Sequence, residues 1–354
     1  MRVDNRISVK MSNMALLCAV LVVFIHNFLG GYANGWWHKS CFLVSHGLAN
    51  IAVPYFFLAS GYFLAKHGTE VGWWRRESVK RLRTLVVPFF IWNMLYILFH
   101  ALFVSLTNVV SGRPLTAKWA AWLSSEWIRL LGFDFTDTPA NNALWYLRCL
   151  FVFVLCSRGL MWGVERFKGW FVLALYLVYI VYGVVISPWI DPDVSKFFIY
   201  GFSIRGCFYF AGGMLLAKVG FDWMSWWTAM LAGVLAVCGL VVLGCCWPNG
   251  EVLVVRFQFL LVPLMLYSCW YFMPSRATVS FGGGGGLPMR IYCLHRFFIL
   301  VCCGLCIKYR GFGLSMGTMY FFATFVIVVL CMLVAVGMKR CFPNFDKIAF
   351  GGRG

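Results

Sequence analysis

Apolar runs long enough to cross a bilayer recur about ten times along the sequence, and no polar stretch between them is long enough to fold as a second domain. The runs fall at about 14–30, 48–65, 84–106, from 143 onward, 169–186, 198–217, 224–246, 252–273, 290–307 and 318–337. Each has room for roughly 20 residues of helix, enough to span about 30 Å of hydrocarbon. In hydrocarbon every backbone amide must be satisfied within the segment, so such runs become helices. The expectation is an all-α, polytopic membrane helix bundle of about ten transmembrane helices. It forms a single transmembrane domain over residues 1–354, with no separate soluble domain.

Composition excludes the water-soluble classes. Charged residues make up 12% of the 354 and hydrophobic ones 62%, whereas a soluble domain carries roughly a quarter charged. The net charge of +18, from 30 Lys and Arg against 12 Asp and Glu, fits loops that obey the positive-inside rule rather than a nucleic-acid surface. Taken loop by loop, the excess of Lys and Arg falls on the N-terminal side, so both termini are expected in the cytoplasm. Arg2, Arg6 and Lys10 before the first run also suit a signal peptide, but no small-x-small cleavage site follows. An uncleaved first helix is expected. The 15 cysteines are scattered mostly through apolar runs and read as small buried residues. Cys303 and Cys306 have CxxC spacing inside such a run, so neither a metal site nor a disulfide framework is expected.

The stretch Leu16 to Asn27 ends on a titratable ring, His26. A histidine within a membrane helix is costly to place and is a functional hypothesis by default. Helical rise sets it roughly 18 Å into the span, near the midplane. Neutral imidazole there can take a proton from a hydroxyl at physiological pH; the alternative is a ring that only hydrogen-bonds a neighbouring helix. In the second run Pro54 should kink the helix, and Gly61 should let another helix approach. Ser60 has no evident base beside it and reads as packing.

A basic loop with Arg75, Arg76, Lys80, Arg81 and Arg83 follows the second run. Guanidinium forks suit phosphate oxygens, so this loop can hold a phosphorylated donor; it serves equally as a topology signal touching lipid headgroups. The longest connection, 107–142, has room for an interfacial helix. Arg148, just after Trp145 and Tyr146, lies in the fourth run, Arg205 in the sixth and Arg256 in the eighth, and the runs hold almost no acids. Such cations need carbonyls, water or an anionic ligand, or they snorkel. Arg148 and Arg205 are therefore candidates for an acceptor cavity or for stabilising an oxyanion. His295 lies beside Arg296 and three residues after Tyr292, and either lines a donor passage or is structural. Gly282 to Gly286 lacks the P-loop pattern and reads better as a flexible linker.

Several pieces together resemble the acyltransferase 3 family of bacterial integral membrane acyltransferases. They are VLVVFIH ending at His26, VPYFFLASGYFL at 53–64, KRLRTLVVPFFIW at 80–92, LWYLRCLF at 144–151, RGCFYFAGGMLLAK at 205–218 and IYCLH at 291–295. The resemblance implies transfer of an acyl group, usually acetyl, from cytoplasmic acyl-CoA to a hydroxyl of a surface carbohydrate or its lipid-linked precursor. It implies a bacterial inner-membrane location. Acyl-CoA, acetyl-CoA in the usual case, is a donor substrate, and no cofactor is bound permanently. His26 matches the family's catalytic histidine. Arg81 and Arg83, supported by Arg75 and Arg76, match a basic motif associated with the donor. Trp145, Arg148, Arg205, Tyr292 and His295 stand as candidates for the cavity, the acceptor or the oxyanion. The partners implied are acyl-CoA, a glycan and membrane lipids, with no nucleic acid.

The chain departs from the family's pattern twice. Ser12-Asn13-Met14-Ala15 stands where many members carry an arginine, with Lys10 the nearest cation, and Arg81-x-Arg83 replaces a regular RxxR. The residues alone leave a second class open, a transporter or flippase for a lipid-linked sugar or small anion, although no internal repeat is evident.

Overall fold

The computed structural model describes residues 5–66, 72–110, 127–246, 250–276, 286–308 and 315–352. All regular structure among these residues is helical. Among the described residues nine helices are long and apolar enough to cross a membrane: Asn5–Tyr32, Gly35–Lys66, Trp73–Val110, Asn142–Phe167, Gly169–Ile186, Pro192–Val219, Trp226–Cys245, Leu287–Lys308 and Met316–Cys341. A further pair, Gly250–Arg256 and Gln258–Phe272, passes the same length and composition test together but is bent by 68°. Counted in chain order with that pair as the eighth, these are the ten spans of a multi-pass helical bundle. The glycine run at 282–285, His67 and residues 111–126 of the long connection lie outside the described residues; of that connection's expected interfacial helix, the structure describes Trp127–Leu131.

Two elements differ from the sequence expectation. The eighth span is broken at Phe257, where a continuous helix over 252–273 was expected. Gln258, the first residue past the bend, accepts on its side-chain carbonyl a 2.9 Å hydrogen bond from Arg205, so a polar contact holds the joint. The basic stretch is also not a loop. It is a helix, Trp73–Arg81, running through a π-helical turn, Leu82–Val86, into Val87–Val110. No glycine or proline interrupts residues 73–87, and Arg, Lys and Glu are good helix formers. Pro88 withholds a donor from the carbonyl four residues back, Thr84, and the wider π turn sits there.

The core is knit by close helix contact. An added Cβ on Gly61 would lie 1.9 Å from the Phe210 carbonyl oxygen, and one on Gly213 would lie 1.9 Å from that of Leu58. The second and sixth spans therefore touch backbone to backbone at reciprocal glycines. The fifth span lies on the perimeter, burying none of its residues.

The face that bears Asn5 is stitched from distant segments. Lys10 donates to the carbonyls of Trp270 (3.3 Å) and Tyr271 (3.0 Å), and the Asn13 amide donates to those of Pro274 and Arg276 at 2.9 Å each. After the tenth span a short helix, Pro343–Ala349, folds back against the bundle. The Arg290 Nε meets Asp346 Oδ1 at 3.0 Å and its Nη2 meets Oδ2 at 2.5 Å, with both side chains buried. The Trp92 indole donates to the Ala349 carbonyl at 2.7 Å, and its ring packs on the fully buried Phe350. Gly351, at φ +66°, passes so close to Thr84 that a Cβ would lie 2.6 Å from its carbonyl oxygen.

Candidate active site

His26 is the last residue of the α-helical part of the first span, and its neighbour Asn27 fixes it there. The Asn27 amide donates to the Tyr320 carbonyl and to the Thr324 hydroxyl, both at 2.9 Å, in the tenth span. Its side-chain oxygen accepts from the Leu29 amide at 3.1 Å, starting the 3-10 turn Phe28–Tyr32, and from the Cys303 thiol at 3.3 Å in the ninth span. One buried amide thus ties the end of the first helix to two others. The sequence reading did not single out Asn27; a lone Asn directly after an intramembrane His was the available signal.

The His26 ring is half-buried and makes no hydrogen bond among the described residues. It lies against His295, with ring centroids 5.2 Å apart and planes tilted by 38°. His295 is 0% exposed. Its Nδ1 lies 3.1 Å from the Ile291 carbonyl, one helical turn earlier. A carbonyl can only accept, so Nδ1 carries the proton and Nε2 holds the lone pair. That Nε2 is buried and has no partner among the described residues.

Aromatic residues continue from the pair. The Tyr292 ring lies 6.2 Å from His295 and 6.0 Å from Tyr146. The Tyr292 hydroxyl donates to the Ala143 carbonyl, which moors the start of the fourth span to the ninth. The Tyr146 hydroxyl shares a 3.3 Å hydrogen bond with Ser60, and its ring meets Phe57 edge-on. Ser60 therefore joins this polar strip instead of serving only as packing. Trp145 packs on Tyr200 and Phe57 beside it. The structure so brings together His26, His295, Tyr292 and Trp145 from the sequence candidates and adds Ser60 and Tyr146. His295 lies about 12 Å by helical rise from the start of the ninth span, and His26 about 20 Å beyond Asn13, so the pair sits deep in the bundle.

The arginine candidates sit apart from one another. Arg148 is buried, and its terminal amino groups donate to four carbonyls: Gly132 (2.8 Å), Asp134 (2.5 Å), Asp137 (2.7 Å) and Tyr200 (3.3 Å). Its guanidinium also stacks over Phe135. Of the partners expected for such a cation, Arg148 takes backbone carbonyls, and through them it organises the loop before the fourth span. Arg205 binds Gln258 (2.9 Å) and Asn50 (3.2 Å to its side-chain oxygen) at the bend of the eighth span. Arg75, Arg76 and Arg83 are exposed on the helix that precedes the third span, while Arg81 is half-buried with its Nε 3.4 Å from Glu77. That helix packs on the fourth span, where the Trp74 indole donates to the Leu155 carbonyl at 3.0 Å. No group of three or more metal-ligating side chains occurs among the described residues.

Residues 14–336 match a family described as an acyltransferase domain. The succinoglycan biosynthesis protein ExoH of Rhizobium meliloti (strain 1021) is similar, at 24% identity over 373 residues that cover 99% of this chain and 94% of that protein. No solved structure matches the chain.

Proposed function

The chain belongs to the acyltransferase 3 family, and from that premise we propose an O-acyltransferase of the bacterial cytoplasmic membrane with both termini in the cytoplasm. It moves an acyl group, acetyl in the simplest case, from cytoplasmic acyl-CoA to a hydroxyl of a surface carbohydrate or its lipid-linked precursor. The similarity to a protein named for succinoglycan biosynthesis supports a polysaccharide as the acceptor.

The observation that carries the reading is the His26 ring, deep in the bundle, half-buried and without a hydrogen-bond partner among the described residues. In the proposed reaction a neutral His26 nitrogen takes the proton of the acceptor hydroxyl while the acceptor oxygen bonds to the thioester carbonyl carbon. The carbon–sulfur bond then breaks, and the departing CoA thiolate takes the proton from the imidazolium. A relay in which His26 itself carries the acyl group is the variant of the same scheme.

The donor's phosphates are assigned to Arg75, Arg76 and Arg81 of the helix Trp73–Arg81 and to Arg83 in the π turn that follows it. Tyr292 lies against His295, and Trp145 stands farther along the aromatic strip, on Phe57. Arg148 and Arg205 are given framework roles, because their hydrogen bonds bind loop carbonyls and the bent eighth span.

The test is turnover of radiolabelled acetyl-CoA by purified protein in detergent. Wild type should hydrolyse it slowly. His26→Ala should abolish turnover, and the double variant Arg81→Ala, Arg83→Ala should raise KM. Folded wild type that neither binds nor cleaves any acyl-CoA overturns the proposal.

A further inference from the structure

His295 has one committed ring nitrogen and one that is not. Its Nδ1–H is held by the Ile291 carbonyl of its own helix, which locks the ring and leaves only the Nε2 lone pair available. A buried acceptor left without a donor costs on the order of 1–3 kcal/mol, so a donor is expected within reach. The neighbouring hydroxyls are engaged elsewhere. Tyr292 gives its hydroxyl to Ala143, Tyr320 gives its own to the Phe24 carbonyl, and Tyr146 shares a hydrogen bond with Ser60. The Cys303 thiol goes to Asn27. The Arg296 Nε is also buried without a partner, but adjacent residues of a helix do not face each other. The ring that remains is His26, 5.2 Å away between centroids at a tilt of 38° and with no hydrogen bond of its own among the described residues.

We propose that His295 is a positioning residue for His26: its Nε2 accepts the His26 ring N–H, so that the other His26 nitrogen becomes the base that faces the acceptor hydroxyl. This rests on the acyltransferase reading above. The two rings are in contact but not hydrogen-bonded to each other, so the proposed bond requires the His26 ring to turn until the nitrogens lie about 3 Å apart. Catalytic hydrogen bonds commonly tighten in this way only when substrate is bound. The locked His295 ring does for the His26 tautomer what an orienting carboxylate does in a catalytic triad. No proton leaves His295 in this scheme, so its part is to select which His26 nitrogen is bare.

Two amide variants separate this role from a structural one. His295→Asn places a donor where Nδ1 stands and so keeps the tie to Ile291, but it removes the acceptor at the Nε2 position. His295→Gln places an oxygen near Nε2. Acetyl-CoA turnover by purified protein should show kcat reduced about a hundredfold in His295→Asn, the scale of a general-base contribution. It should be retained within about tenfold in His295→Gln, with KM for acetyl-CoA unchanged in both. A structural role predicts the reverse order, and equal or reversed losses overturn the proposal. In wild-type protein carrying 15N-histidine, acyl-CoA binding should produce a nitrogen–nitrogen coupling between the two rings. Its absence in the loaded protein overturns the proposal without recourse to variants. Wild type that shows no acyl-CoA turnover overturns the underlying reading. An active wild type, an inactive His26→Ala and a fully active His295→Asn overturn this inference alone.

Discussion

Asn27 and Thr324, 297 residues apart in sequence, are joined by a 2.9 Å hydrogen bond from the Asn27 amide to the Thr324 hydroxyl. Because Asn27 follows His26 directly, the tenth span governs where the catalytic candidate of the first span sits. Asn27→Leu removes this bond together with those to Tyr320, Leu29 and Cys303. The expected loss is about 1–3 kcal/mol for the unsatisfied groups left behind. It should appear as a lowered Tm in detergent with a fall in kcat, whereas Thr324→Val should produce a smaller version of both.

The Arg290–Asp346 pair gives a second prediction. Breaking a buried, bidentate ion pair by removing one partner strands the other charge, at a cost of about 3–5 kcal/mol. Asp346→Asn should therefore lower Tm sharply, while a paired apolar replacement, Arg290→Met with Asp346→Leu, should recover most of the loss. Thermal unfolding of the three proteins in one detergent checks this, and equal destabilisation of single and double variants would contradict it.

Helix contact at Gly61 and Gly213 is a third. With Cβ positions 1.9 Å from opposing carbonyl oxygens, Gly61→Val or Gly213→Val forces the second and sixth spans apart. Overpacking costs about 1–3 kcal/mol even where side chains can yield, and backbone yields less. These variants should lose the monodisperse peak in size-exclusion chromatography, whereas Gly159→Ala, with open space at its Cβ, should keep it.

The loop held by Arg148 supplies a pH dependence. Hydrogen bonds from the Thr136 hydroxyl (2.6 Å) and amide (2.8 Å) hold the Asp134 carboxyl below its usual range, against a smaller opposing effect of burial, with Arg148 and Arg129 helping. A carboxyl depressed in the folded state contributes stability above its unfolded pKa, about 4, and that contribution is lost as pH falls through the folded value. Loop contacts should therefore hold at neutral pH and loosen below about pH 4. Thr136→Val should narrow the difference, seen as a smaller drop in Tm on acidification.

The spans were legible because each is an apolar run of membrane length, and the Gly61 contact because small residues mark close approach. The bend at Phe257 was not, since the run from Val252 to Phe272 holds no breaker at that point and the joint is made by Arg205 from another span. The basic stretch misled in the opposite sense: dense charge reads as a loop, but without glycine or proline it stays helical. His26 was legible as a titratable group in hydrocarbon. Its meeting with His295 was not, because nothing local encodes the crossing of the first and ninth spans. Arg148 was legible as a buried cation, yet its partners are backbone carbonyls, and carbonyls leave no signature in sequence.

The Trp92 indole finds its acceptor at Ala349, 257 residues later. The N-terminal segments are made first, so the third span is synthesised well before the carbonyl that its indole binds. Phe350 then fills the space beside it and Gly351 slides under Thr84. The helix Pro343–Ala349 and the residues after it thus act as a drawstring on the third span, holding a segment from which most of the sequence separates them.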